Sequence, residues 1–157
     1  MTDILPAIIN PALDMLPRVM RSDAARAMLL AIGLQESGLH HRKQVRGPAH
    51  GLWQFERIGV AEVLRNPKTR ELALDLCWKM AIAPTAAAVY HRIDDDDILA
   101  AGIARLALWR HPDALPDRDD PEEGWRQYLE IWRPGKPRKE VWADYYATAW
   151  KMVEGER

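Results

Sequence analysis

Glu36 is the residue in this chain whose type and setting most suggest chemistry. It ends a nearly uncharged apolar stretch and is followed by Ser37-Gly38, a polar loop and the compact segment Gly51-Leu52-Trp53-Gln54. A carboxyl group at the edge of a hydrophobic core resists ionisation, so it keeps its proton near neutrality and can act as a general acid. At a helix C-terminus the dipole disfavours the charged form by a further ~0.3–1 kcal/mol. Cleavage of a glycosidic bond is the reaction such a carboxyl suits.

Mechanism then turns on a second carboxylate. Retaining glycosidases need the two carboxyls about 5–5.5 Å apart and inverting ones about 6.5–9.5 Å apart. The next acid after Glu36 is Glu56, directly behind Gln54 and Phe55, which makes it the candidate second carboxylate. Its alternative role is an exposed helix residue. Asp94 to Asp97 read as a solvated helix cap rather than as a catalytic group.

The elements that must position these groups are helices throughout, and the expected fold is a compact all-α domain spanning 1–157. Asp3 to about Leu16 reads as a helix or two short ones, broken near Pro11 and Pro17. Ser22 is a suitable N-cap for a helix running to about Glu36, with Gly38 placed to end it. Arg26 is its only charge between Ala24 and Leu34, so this helix should be central and buried. Ala25, Met28, Leu29, Ile32 and Glu36 share one face. Short helical pieces follow over 52–64, then helices at Pro67–Met80 and Pro84–Ile93. Ile98–Leu108, whose only charge is Arg105, gives a second buried helix. Glu122–Trp132 and Lys139–Glu154 complete the set, and a proline-bearing loop over 112–121 precedes them.

Composition excludes several classes of function. Lys plus Arg number 22 against 23 Asp plus Glu, so no global field favours nucleic acid or an anionic membrane. No apolar run approaches the ~18 residues of a membrane span. The N-terminus lacks a positive n-region, and prolines 6, 11 and 17 interrupt its apolar stretch, so no secretory signal is expected. The single cysteine, Cys77, permits no internal disulfide and, beside Leu74, Leu76 and Trp78, reads as a buried structural thiol. The five histidines have no metal-ligand spacing, His40 and His41 being adjacent, so neither metal nor cofactor is expected. His41, Arg42, Lys43 and Arg46 read as a solvated basic loop, with contact to substrate carboxylates as the functional alternative. The stripes Trp125/Tyr128/Trp132 and Trp142/Tyr146/Trp150 read mainly as core packing.

Glu36-Ser37-Gly38, followed by Gly51-Leu52-Trp53-Gln54, resembles the glutamate motif and the G-L-M-Q motif of the lytic transglycosylase and goose-type lysozyme superfamily. Trp53 stands where that motif has methionine. The resemblance implies a lysozyme-like helical fold with Glu36 as the acid that protonates the glycosidic oxygen. It further implies Ser37 as a supporting residue and Gln54 and Trp53 as parts of the cleft wall. In this superfamily a late tyrosine often hydrogen-bonds the glutamate, and Tyr128 and Tyr146 are both candidates. The family's alanine-tyrosine-asparagine signature has no counterpart in Ala104 to Pro112. The segment Tyr128 to Pro137, with its core Trp132-Arg133-Pro134-Gly135-Lys136-Pro137, is similar to small lysozyme-like proteins carried by bacteriophages.

The resulting expectation is a peptidoglycan-degrading glycosidase acting between N-acetylmuramic acid and N-acetylglucosamine. A lytic transglycosylase, in which the sugar's own 6-hydroxyl attacks, is preferred over a lysozyme because no second acid is placed. The expected partners are glycan strands and other virion proteins of a phage or prophage, which would deliver the protein to the wall or release it at lysis. The alternative is a non-catalytic virion structural or adaptor protein that keeps the fold, its cleft filled by Trp53 or Trp109.

Overall fold

The computed structural model describes residues 4–40, 42 and 47–156. Eight α-helices are found among them: α1 Asn10–Asp14, α2 Asp23–Ser37, α3 Arg57–Arg65, α4 Arg70–Lys79, α5 Ala86–Arg92, α6 Asp97–Trp109, α7 Pro121–Trp132 and α8 Lys139–Gly155. The described residues contain no β-strand, only an isolated antiparallel bridge between His50 and Phe55. None of these helices is long and apolar enough to cross a membrane.

Helix α2 is the axis of the molecule. Ser22 caps it, accepting from the Ala25 N–H at 3.1 Å. Gly38, left-handed at φ 67°, ends it, a conformation that costs a residue with a Cβ far more than glycine. Every residue from Ala27 to Gln35 is buried, which explains why the stretch is apolar on all sides. α8 makes the most extensive helix–helix contact in the fold, and it makes it with α2. α6, buried from Leu99 to Leu108, packs against α1, α2, α3 and α4.

Three local expectations are corrected. Pro11 does not break the first helical segment: the π-helical turn Leu5–Ile9 leads directly into α1, with helical backbone at both Ile9 and Asn10. Pro11 sits in the first turn of α1, where a missing N–H is tolerated, and the wider π turn accommodates its ring. Pro67 lies in a turn ahead of α4 rather than at its first residue, the Thr69 and Arg70 N–H groups both closing on the Asn66 carbonyl. On α4, Leu74 and Trp78 are four apart and face outward, Trp78 being 80 % exposed, while Cys77 and Leu76 are fully buried. Burial of the thiol therefore comes from the opposite helix face, not from those two neighbours.

The aromatic stripes pack together between α7 and α8. Tyr128 and Trp142 stack with ring centroids 5.4 Å apart and an interplanar angle of 8°, and Trp125 lies 5.6 Å from Trp142. The indole of Trp142 donates to the Pro121 carbonyl at 2.8 Å. Tyr128 of this layer reaches Glu36 at the end of α2.

Candidate active site

Glu36 occupies the last turn of α2, partly exposed, while Gln35 and Ser37 on either side of it are buried. Burial is the dominant influence on its carboxyl and raises its pKa from 4.5 to about 7; the Tyr128 hydroxyl opposes this by donating to Oε2. Tyr128 itself is pushed upward, first by its own burial and then by the neighbouring Glu36, so it stays a protonated donor. The carboxyl can therefore both give and take a proton near neutral pH.

Ser37 ties this helix end to the second motif. Its Oγ donates to the Leu52 carbonyl at 2.6 Å and accepts from the Leu39 N–H at 3.1 Å. The Gly51–Gln54 segment forms a tight turn, closed by the Gln54 N–H on the Gly51 carbonyl at 3.0 Å and flanked by the His50–Phe55 bridge. Gly51 adopts φ 79°, and a Cβ there would lie 3.1 Å from the Ile93 carbonyl oxygen. Gln54 is also left-handed, at φ 52°. A non-glycine residue in that region stores about 1–3 kcal/mol of strain. Its amide is partly exposed and bonds the Gly51 carbonyl at 2.9 Å.

Trp53, expected on the cleft wall, is instead fully buried. Its indole N–H donates to the Leu29 carbonyl of α2 at 2.8 Å, which supplies the partner a buried indole needs. Its own carbonyl accepts from the Trp132 indole at 2.9 Å. Trp53 thus clamps the turn to the central helix and faces away from solvent. Trp132, one helical turn beyond Tyr128, is only partly buried and stands 5.5 Å from Phe55 between ring centroids. Of the two tyrosines, Tyr128 meets Glu36. Tyr146 donates to the Asp117 carbonyl at 2.6 Å and braces the loop before α7.

A groove of about 280 Å³ lies beside the turn, lined by Gln54, Phe55, Glu56, Trp132, Arg110 and Arg133 among others. Glu56 is exposed in it at the N-terminus of α3, with no capping bond from its side chain. On its far wall Glu62 accepts from Arg133 at 2.6 Å and from Arg110 at 3.0 Å. Burial opposes the charge of Glu62, but the two guanidinium groups outweigh it and hold the carboxyl below its usual range.

The acidic run 94–97 does more than cap. Asp96 is the N-cap of α6, accepting from the Leu99 N–H at 3.0 Å. Asp94, only 8 % exposed, lies 3.1 Å from Nδ1 of His50, which stacks on Tyr90 at 3.9 Å. Asp97 takes both Arg42 donors, at 2.7 and 3.0 Å. The Arg42 carbonyl in turn accepts from the Gly51 N–H at 2.5 Å. The expectation of a solvated cap is corrected: two of these carboxylates anchor the loop that leads into the Gly51–Gln54 turn. Their signal in sequence was the histidine and arginine upstream, separated by too many residues to pair by inspection. His41, Lys43 and Arg46 lie outside the described residues. Among those described, no cluster of potential metal ligands occurs.

No protein-family model matches this sequence, and neither a curated protein nor a solved structure is significantly similar to it.

Proposed function

We propose that the protein is a peptidoglycan-cleaving glycosidase in which Glu36 is the general acid and then the base. The observation that carries this reading is the state of Glu36: a carboxyl at the end of the central helix, raised to about 7, bonded by Tyr128 and adjoining a strained turn that presents Gln54. Protonation of the glycosidic oxygen needs a neutral carboxyl at working pH, and this setting supplies one. Trp132, only partly buried, offers flat apolar surface in the adjoining groove, suited to the C–H faces of pyranose rings.

Lytic transglycosylation is the preferred reaction. The muramic acid 6-hydroxyl attacks the anomeric carbon as the glycosidic bond breaks. Glu36 gives its proton to the departing oxygen and takes the hydroxyl proton in return, so no water is consumed. Glu56 stands in the groove with Gln54, which keeps a two-carboxylate hydrolase as the competing chemistry. Delivery by a virion, or release at lysis, is the route this reading implies. The non-catalytic virion reading loses its suggested plugs: Trp53 is turned inward and Trp109 belongs to a cavity bordered by the other end of α2.

The test is digestion of purified sacculi by wild type and Glu36→Gln, with muropeptides read by mass spectrometry. The expected result is release of 1,6-anhydro fragments, lighter by one water than hydrolysis products and absent with the variant. Products with a reducing end would assign a hydrolase with Glu56 as partner. No release from several wall types by folded wild type would overturn the enzymatic reading.

A further inference from the structure

Arg105 is the only charge between Ile98 and Trp109 of α6, and it is 2 % exposed. Its Nε donates to the Met20 carbonyl at 2.8 Å, and its guanidinium carbon lies 5.5 Å from the Trp109 ring centre. Nη1 is buried without any hydrogen-bond partner. Burial alone pulls its pKa down to about 10, with no carboxylate contributing in the opposite direction. An uncompensated buried ion costs several kcal/mol, and buried donors in folded proteins are rarely left without acceptors.

Arg105 is one of the residues lining a cavity of about 770 Å³, within the range of about 300–1,000 Å³ usual for small-ligand sites. Leu108, Trp109 and Leu115 provide an apolar wall, and Val19, 72 % exposed, also borders the cavity. Ser22 and Ala24 bring the first turn of α2 to another side, where the helix dipole favours negative charge. Exposed Lys68 adds a second cation. Asp113 is the only carboxylate in the lining, and Arg126 already holds it at 2.5 Å. Glu36 is at the opposite end of the same helix, about 20 Å away by helical rise. The cavity is thus separate from the candidate active site.

We propose that this cavity binds a small organic monoanion, a carboxylate on a compact apolar body. Arg105 is the counter-ion, and Trp109, Leu108 and Leu115 receive the apolar part. A carboxylate matches the single planar guanidinium fork. A compact dianion such as phosphate would leave the apolar wall unused and its own second charge without a buried partner.

The test uses the full chain and does not depend on turnover, so it stands apart from the glycosidase reading. Benzoate, its neutral isostere benzamide and inorganic phosphate are each titrated by calorimetry, and the Trp109 indole N–H is followed by NMR. The expected result is saturable benzoate binding at millimolar concentration or below that moves the Trp109 signal. Benzamide and phosphate should each bind at least about tenfold more weakly. Arg105→Gln, checked for folding by circular dichroism, should erase the preference for benzoate over benzamide. If that variant does not fold, the comparison of ligands on wild type still decides. Equal binding of benzoate and benzamide, tighter binding of phosphate, or no saturation overturns the proposal.

Discussion

The Tyr128 hydroxyl donates to Oε2 of Glu36 across 92 residues of sequence, and its effect on the carboxyl opposes that of the burial around it. Burial favours the neutral acid, whereas a donor aimed at the oxygen favours the anion. The balance keeps the group titrating near neutrality instead of locking it in one state.

Removing that donor should shift the balance upward. In Tyr128→Phe the Glu36 pKa rises, so the alkaline limb of the kcat/KM profile moves to higher pH, by about one unit. The maximum rate should fall about tenfold because the carboxyl loses its orienting bond. A pH–rate profile of both proteins checks this. An unmoved limb would mean that Tyr128 does not tune the acid.

Stability should carry the mirror image of this titration. Glu36 has a folded pKa of about 7 against an ordinary 4.5, so between those values the native chain holds a proton that the unfolded chain releases. Wild-type stability therefore falls as pH rises through that window and levels off above it, by at most about 3 kcal/mol. Glu36→Gln lacks this loss and should be the more stable protein above neutrality. Urea unfolding of both at a series of pH values measures the difference. A wild-type-minus-variant difference that is independent of pH would show that the carboxyl is not held neutral.

Ser37→Ala cuts the tie between the end of α2 and the second motif. Leu52 O and Leu39 N–H lose their shared partner inside the protein. The expected cost is about 1–3 kcal/mol, seen as a lower urea midpoint. Catalysis should fall further than stability alone explains, because the turn presenting Gln54 loses its anchor.

Trp53→Met separates packing from substrate contact. The indole fills the core and satisfies Leu29 O, so its loss should destabilise by about 2–4 kcal/mol. KM for glycan strands should stay at the wild-type value in conditions where the variant is folded. A raised KM with unchanged stability would return Trp53 to the cleft.

The parts of this molecule legible in sequence are those encoded locally. Ser22, the apolar run behind it and Gly38 define α2 because cap, burial and terminator all lie within one segment. Glu36 stood out because it interrupts that run at its end. The choice between Tyr128 and Tyr146 was not legible, since both sit on aromatic stripes of equal period and only the packing of α7 and α8 over α2 separates them. Trp53 misled for a related reason. Only its position in the motif that the segment resembles points to the cleft wall, and its partner, a backbone carbonyl on α2, has no side chain to signal it. Asp94 and Asp97 read as solvated charges in sequence because His50 and Arg42 meet them only after the chain folds back.

The cover over α2 is α8, which the ribosome makes about a hundred residues after the helix it protects. Until then the apolar surface of α2 has no permanent neighbour on that side. Nascent chains stopped before Lys139 should therefore need a chaperone or aggregate, and folding should complete only after α8 has left the exit tunnel. The C-terminal helix is, in effect, the latch that decides when this chain becomes a protein.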